Sequence, residues 1–146
     1  APQGISSKRL LSPGTKGIGH QWAYLPDVAE TMLQLVKRRQ ALPRFASFHM
    51  KGHWDATGQE IGHMTSAIIA QQTNKQPKVH TFPWWLIKLV APFHRTSKEL
   101  LEMKYLWQHP IRLDNEKLVA FLGYEPHTPW EKALLDTLQD GSSKTN

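Results

Sequence analysis

The chain contains no cysteine. Disulfide frameworks, thiolate nucleophiles and cysteine-based zinc sites are therefore excluded. It also lacks any run of about 18 apolar residues, so we expect no segment that spans a membrane. The first residues, Ala1-Pro-Gln-Gly4, have neither the basic start nor the apolar centre of a signal peptide, and no methionine precedes them. These features lead us to expect a cytoplasmic chain that is either processed or a fragment of something longer.

What the chain does contain is close to ordinary globular composition. Of its 146 residues, 40% are hydrophobic and 21% are charged, and the net charge is +6. The basic residues are scattered, and the one dense run, Lys37-Arg38-Arg39, falls where a predicted helix ends. Cations at that place complement the helix dipole. We therefore interpret the run as a solvated helix terminus and expect no nucleic-acid partner.

Alternating and helical patterns predict an α/β fold that is mostly helical, with two or three short strands. The strands are expected at residues 20–24, 44–50 and 78–82. Roughly six helices are expected to follow capping or first-turn signals. Those signals are Asp27, Thr57, Pro83, Thr96, Asp114 and Thr128, five of them with a glutamate or a C-terminal glycine at the expected offset. We divide the chain into a loop or linker at 1–19, one domain at 20–140 and a disordered tail at 141–146.

The first of these helices has the clearest pattern. Asp27 and Glu30 have the spacing of a capping box, which assigns Asp27 a structural role rather than a catalytic one. Apolar residues recur at helical spacing after them, and they predict the face that packs inward. They are Val28, Met32, Leu35 and Val36.

Motifs that would indicate a particular chemistry are weak. The glycines of Gly14-Thr-Lys-Gly17-Ile-Gly19 have the wrong spacing for a dinucleotide fingerprint, and no strand is expected before them. His49 and His53 are four residues apart, which on a strand separates their side chains by about 13 Å. With Gly52 between them, and only Asp55 and His63 nearby, we predict no metal site. No serine is marked as the nucleophile of a catalytic triad.

Six tryptophans are an unusually large number for a chain of this length. Trp84 and Trp85 are adjacent on a predicted helix, and adjacent helical residues cannot face the same way. We therefore expect one of the two indoles to be turned away from the surface on which the other packs. A core or pocket wall, a partner interface and a membrane surface remain open as roles for these rings, although the segment 83–93 is too short to cross a membrane.

Several segments resemble the extended short-chain dehydrogenase/reductase superfamily, which includes the NAD-dependent epimerase/dehydratase family. The resemblance covers residues 17–140, and its segments occur in the family's order. They are His20–Ala29, Thr57–Glu60, Pro83–Leu86, Glu102–Trp107, Leu113–Asp114 and Leu122–Pro129. The resemblance implies the C-terminal, substrate-side portion of a Rossmann-type NAD(P)-binding protein.

The same resemblance implies where a substrate would lie. The expected pocket walls are Trp84, Trp85, Met103, Trp107 and His20. Family members that handle nucleotide sugars often carry arginine at the position of His20. A neutral imidazole is a weaker phosphate partner than a guanidinium, so the resemblance favours an apolar or aromatic carbonyl compound over a nucleotide sugar.

Two features that the resemblance leads us to look for are absent from the sequence. A tyrosine followed four residues later by lysine does not occur. Tyr24, Tyr105 and Tyr124 are followed by Val28, His109 and Thr128. No glycine-rich cofactor turn is recognised either, so we expect no catalytic residue and no bound cofactor in this chain, with NAD or NADP held by an N-terminal cofactor domain of the parent protein.

Three classes of function stay open. The first is a fragment of an NAD(P)-dependent oxidoreductase or epimerase that supplies pocket walls and is inactive alone. The second is a stand-alone binding or assembly module without catalysis, and the third is a small basic adaptor for an acidic partner. The expected partners are a small carbonyl substrate and the cofactor domain, with no membrane. Since a fragment parted from its sheet exposes apolar surface and a strand edge, we also expect a homodimer.

Overall fold

Two small sheets and six helices make up the fold in the part of the chain that the structure describes. The computed structural model describes residues 9–143, and side chains as far as residue 140. The strands are β1 (Arg9–Ser12), β2 (His20–Trp22), β3 (His53–Asp55) and β4 (Lys78–Thr81). The helices are α1 (Leu25–Lys37), α2 (Glu60–Thr73), α3 (Trp84–Val90), α4 (Arg95–Glu102), α5 (Glu116–Leu122) and α6 (Trp130–Ser143). The mixed α/β class is confirmed.

Strands β1 and β4 form a parallel pair, with Leu10 beside Val79. Helix α2 lies against both strands and approaches β4 closely at Gly62, whose missing side chain makes room for Val79. Beyond the ladder, the amide of Phe82 donates to the carbonyl oxygen of Ser12. The pair is thus a two-stranded parallel sheet with a helix on one face, the arrangement from which larger parallel sheets are built.

Strands β2 and β3 form a separate antiparallel ribbon. His20 lies opposite Asp55, and Trp22 lies opposite His53. Glu125 accepts hydrogen bonds from the backbone amides of Lys51 and Gly52, each at 2.8 Å, and so fixes the chain just before β3.

The core is small and lies between helices. Its fully buried apolar residues belong to α2, α5 and α6, and they are Ile68, Ile69, Leu118, Leu122 and Ala133. Left-handed residues end two of these helices, Asn74 after α2 and Gly123 after α5. Glycine adopts this conformation without the steric cost of a Cβ, which explains why the helix that the sequence predicts up to Gly123 ends there. Among the described residues, no helix is long and apolar enough to cross a membrane.

Several boundaries differ from the sequence expectations. The expected loop at 1–19 contains β1, which also places a strand before Gly14. The predicted strand 44–50 is wrong, because these residues pair with no strand in the described part of the chain, and the strand lies at His53–Asp55 instead. Helix α6 continues to Ser143, into the expected tail, and 144–146 lie outside the described residues.

The predicted capping box of α1 is also wrong. The helix begins at Leu25, with Tyr24 rather than Asp27 at the N-cap position, and no side chain caps it. Its predicted inward face is only partly correct, because Met32 and Val36 are 62% and 56% exposed. Thr31, a polar residue, is the one that is buried. Contacts of the polar side of α1 with the rest of the fold therefore set which side of the helix faces inward, and this differs from the side that the apolar pattern predicts.

The predicted caps of α2 and α4 are also wrong, since Gln59 and His94 occupy the N-cap positions. Thr57 accepts the amide of Gln59 rather than capping α2, and Glu99 pairs with Arg95 on α4. Helix α4 starts at Arg95 and gives way to a 3-10 turn at Met103–Trp107. Asp114 accepts the amide of Glu116 at the start of α5, although Asn115 rather than Asp114 occupies the N-cap position.

Candidate functional site

The strongest concentration of unusual side chains lies on one face of the β2–β3 ribbon. Side chains alternate along a strand, and paired residues share a face, so the register places four residues together. They are His20, Trp22, His53 and Asp55. Asp55 is fully buried, and His20 and His53 are 6% and 7% exposed. Three polar groups of this kind are rare in the interior of so small a fold.

Three side-chain nitrogen atoms on this face are buried and have no hydrogen-bond partner among the described residues. They are Nε2 of His20, Nε1 of Trp22 and Nε2 of His53. A buried polar atom without a partner costs about 1–3 kcal/mol, so folded proteins nearly always satisfy such atoms. We call this face of β2 and β3, which carries the three nitrogen atoms, the ribbon site.

Asp55, by contrast, is satisfied by its own neighbourhood. Its carboxylate accepts the amide of Thr57 at 3.1 Å and the amide of Ile61 at 3.3 Å. It thereby fixes the turn that leads from β3 into α2. Its role is structural, and its negative charge remains beside His20.

Aromatic rings cover both ends of the ribbon site. The Trp107 ring lies edge-on to His20 at 5.1 Å between centroids and 5.9 Å from Trp22. At the other end, His53 lies 4.4 Å from the ring of His127 and stacks on Trp130 at 5.3 Å. The side chains that carry the three nitrogen atoms thus pack against aromatic rings, which place apolar surface next to polar groups.

Both buried imidazoles are held in the neutral form. Burial lowers the pKa of His20 below 6.5, and the negative charge of Asp55 offsets this only in part. Burial also lowers the pKa of His53, with a further lowering from His127, while Asp27 and Glu125 act in the opposite sense. A hydrogen bond with the backbone of Thr128 also raises the pKa of His53, so one side of that ring is already engaged. A neutral imidazole presents one donor and one acceptor nitrogen.

Of the predicted pocket walls, the structure brings His20 and Trp107 together and places the others elsewhere. Trp84 packs edge-on against Phe82, and its indole donates to the carbonyl oxygen of Pro13 at 3.3 Å. Trp85 is 66% exposed on the other side of α3, as the adjacency of the two indoles predicts. Met103 is also exposed, at the start of the 3-10 turn.

The sequence interpretation missed Trp22 and His53 as site residues. The spacing of Trp22 carries a usable signal, since it follows His20 by two residues on a predicted strand and must share its face. His53 carries none, because its position opposite Trp22 depends on a pairing between segments that α1 separates.

The glycines at 14–19 serve packing. They connect β1 to strand β2 rather than to a helix, so no helix N-terminus is available there for a phosphate group. The amide of Gly17 donates to the carbonyl oxygen of Thr57 at 2.9 Å, and a Cβ at Gly14 would clash with the backbone of Gly58. These residues therefore hold the 14–19 loop against the turn before α2.

A separate open cleft of about 220 Å³ lies beside the chain leading into α5. It is lined by Lys51, Arg112, Leu113, Asp114 and Asn115. Arg112 also lies over the Trp54 ring at 5.1 Å, on the other face of the ribbon. The cleft carries charges of both signs, which does not favour one class of ligand.

No group of three or more histidine or carboxylate side chains is arranged to hold a metal ion among the described residues. His49 and His53, whose spacing raised the question, lie on opposite sides of Gly52, and His49 is exposed while His53 belongs to the ribbon site.

Comparison with known proteins does not assign the chain to a family. No family model matches it, and neither a curated protein nor a solved structure does.

Proposed function

We propose that the chain is the substrate-side, C-terminal part of an NAD(P)-dependent oxidoreductase or epimerase/dehydratase of the extended short-chain type. In this proposal the chain supplies walls of the substrate pocket, and a Rossmann-type cofactor domain supplies the nicotinamide and the proton-transfer residues. Walls without that machinery leave the chain inactive alone.

The observation that carries the proposal is the parallel pairing of β1 with β4. Parallel strands occur almost only in larger sheets that are covered by helices, because their connections need crossover helices. Here two parallel strands stand in a sheet of their own, with α2 packed against them. The doubly wound sheet of a cofactor domain would extend this pair into a larger parallel sheet that is covered by helices on both faces.

The ribbon site supports the second half of the proposal. Two of the five wall residues that the family resemblance implies, His20 and Trp107, lie in contact. Trp107 also lies 5.9 Å from the ring of Trp22, whose indole nitrogen has no hydrogen-bond partner among the described residues. An enzyme pocket is typically lined by apolar rings with a few polar atoms that fix the orientation of the substrate, and this cluster has that composition.

The reading frame that encodes the chain provides the first test. We expect it to encode, upstream of Ala1, a glycine-rich strand–turn–helix and a tyrosine followed four residues later by lysine. The longer protein should oxidise reduced nicotinamide when it is supplied with uncharged carbonyl compounds. A reading frame without both motifs would overturn the proposal.

Site variants give the second test. In the longer protein, Trp107→Ala should raise KM for the carbonyl compound about tenfold or more, because the ring that covers His20 is lost. Trp85→Ala, at an exposed position on α3, should leave KM unchanged. If the isolated chain turned over a carbonyl compound or bound a nicotinamide dinucleotide tightly, the proposal that a separate domain supplies the cofactor and the catalytic residues would be wrong.

A further inference from the structure

We propose that helix α3 and the turn after it lie on the surface of an anionic lipid bilayer. Their exposed apolar side chains enter the boundary between headgroups and acyl chains, and neighbouring lysine and arginine side chains bind the headgroups. We call the apolar side chains the α3 face, and they are Trp85, Leu86, Leu89, Val90 and Phe93. The inference does not depend on the proposed function. It departs from the expectation of no membrane partner, because a helix that lies on a bilayer does not need the length to cross it.

One side of α3 attaches the helix to the fold. The indole of Trp84 donates to the carbonyl oxygen of Pro13, and its ring packs edge-on against Phe82. Ile87 lies one turn further along on the same side and is half-buried. Attachment thus uses Trp84 and Ile87 and leaves the other apolar side chains of α3 exposed.

The α3 face concentrates apolar surface in a short segment. Trp85, Leu89 and Phe93 follow one another at intervals of four residues, the spacing of one side of a helix. The amide of Phe93 donates to the carbonyl oxygen of Val90, so the chain keeps turning past the end of α3. Single exposed apolar residues are normal on a protein surface, whereas several large ones together indicate a surface that binds something.

The positive charge of the chain is concentrated around the same helix. Residues 61–98 contain no aspartate or glutamate, and they account for five of the six net positive charges. The basic side chains of this stretch are all exposed, and they are Lys75, Lys78, Lys88, Arg95 and Lys98. The first acidic residue after them, Glu99, is paired with Arg95 on α4. A stretch of this kind is attracted to a negatively charged surface.

An anionic bilayer satisfies both features at once. Tryptophan and phenylalanine rings suit the boundary between headgroups and acyl chains, and a lysine stem can lie along apolar surface while its ammonium group reaches a phosphate. A second copy of this face would bring two sets of cations together, which repel each other. An acidic protein would attract the cations but would leave Trp85, Leu89 and Phe93 without apolar partners.

The test is co-sedimentation of the chain with lipid vesicles. We expect binding to vesicles of phosphatidylcholine mixed with an equal amount of phosphatidylserine, and much weaker binding to vesicles of phosphatidylcholine alone. Each lysine or arginine near an anionic surface contributes about fivefold to the partition coefficient. Added salt should weaken the binding, because it screens these charges. Neither comparison needs a substitution.

Matched variants locate the contact. Phe93→Gln should lower the partition coefficient about tenfold or more, because a phenylalanine ring no longer leaves water on binding. Phe45→Gln is the control, since Phe45 is 86% exposed against 91% for Phe93 and lies outside the basic stretch. It should bind like the original chain. Lys88→Gln should lower binding to the mixed vesicles about fivefold and leave binding to phosphatidylcholine unchanged. Circular dichroism checks that each variant keeps the fold.

Three results with vesicles would overturn the inference. The chain could fail to bind the mixed vesicles, it could bind both kinds of vesicle equally, or Phe93→Gln could bind as tightly as Phe45→Gln. Other results would identify a different occupant and overturn it equally. Polyglutamate bound as tightly as the mixed vesicles, with no loss in Phe93→Gln, would indicate an acidic protein. A mass in lipid-free sedimentation that falls in Phe93→Gln would indicate a second copy. Vesicle binding that is lost in the longer protein would indicate that a cofactor domain covers the α3 face.

Discussion

Asp27 and Thr128 are 101 residues apart in sequence and are joined by two hydrogen bonds. The carboxylate of Asp27 accepts the backbone amide of Thr128 at 2.8 Å and its hydroxyl group at 2.7 Å. Both residues have the sequence spacing of helix caps, yet they bind each other. The first turn of α1 is thereby tied to the chain just before α6, beside the His53 end of the ribbon site.

This contact predicts a larger loss of stability than a helix cap would give. Asp27→Ala should lower the free energy of unfolding by about 2–3 kcal/mol, because it leaves two donors of Thr128 without their charged acceptor. Removal of a simple cap costs about 1 kcal/mol. Urea denaturation followed by circular dichroism measures the difference.

A double-mutant cycle checks that the loss arises from this pair. Thr128→Val removes the hydroxyl donor alone, and its effect should be small in a chain that already carries Asp27→Ala. Additive effects of the two substitutions would show that the two side chains do not act on each other.

The neutral histidines predict that stability falls on mild acidification. Since the folded-state pKa values of His20 and His53 lie below 6.5, the unfolded chain binds more protons as the pH drops through that value. Stability is therefore fully present above about pH 7 and is lost progressively below about 6.5, until the pH reaches the folded-state values. Thermal unfolding measured across this window gives the slope.

The histidine variants separate this effect from other titrations. His20→Gln with His53→Gln should flatten the dependence in this window. An unaltered slope in the double variant would contradict the assignment.

Two glycines with the same backbone conformation predict different costs. Gly58 and Gly123 have φ values of +70° and +88°. A Cβ at Gly58 would clash with the carbonyl oxygen of Ile18, whereas a Cβ at Gly123 would meet nothing within 4 Å. Gly123→Ala should cost about 1 kcal/mol, which is the left-handed penalty alone. Gly58→Ala should cost about 3 kcal/mol or more, as the 14–19 loop has to move. Equal losses in chemical denaturation would refute this packing role.

Helix α1 leads us to expect self-association of the isolated chain. Met32 and Val36 lie one turn apart on its exposed side, and Leu25 and Leu33 are exposed with them. Apolar residues clustered on a surface in this way favour association. Sedimentation at rising concentration should give a mass above 16.7 kDa. Met32→Glu with Val36→Glu should restore the monomer without loss of stability. A monomer at every concentration would make the homodimer prediction wrong.

Local chemistry allowed part of the fold to be predicted. Pro83 and Pro129 precede helices that begin at Trp84 and Trp130, because proline suits the start of a helix. Gly123 ends α5 because glycine adopts the left-handed conformation without the steric cost of a Cβ. This reason depends on the glycine alone and not on the rest of the sequence. The turning away of Trp85 from Trp84 also follows from helix geometry alone.

Elements whose stability depends on distant partners could not be predicted in this way. Residues 44–50 alternate like a strand but find no ladder, and Phe48 instead packs on Phe121 at 5.6 Å. Arg38, interpreted as solvated, donates to the carbonyl oxygens of Phe121 and Leu122 at the end of α5. Phe48 and Arg38 could each interact with neighbours in sequence or with distant residues, and only the tertiary structure shows which partners they have.

By itself, the sequence determined where α3 and α6 begin, where α5 ends, the absence of cysteine chemistry and the face that His20 shares with Trp22, since each depends on residues within one turn or one strand. The tertiary structure alone decided that His53 lies opposite Trp22 and that Trp107 and Trp130 cover the two ends of the ribbon. It also decided that three buried nitrogen atoms have no hydrogen-bond partner in the part of the chain that the structure describes. Strand pairing and ring packing join segments far apart in sequence, and their register is set by the sum of many distant contacts that no short pattern encodes.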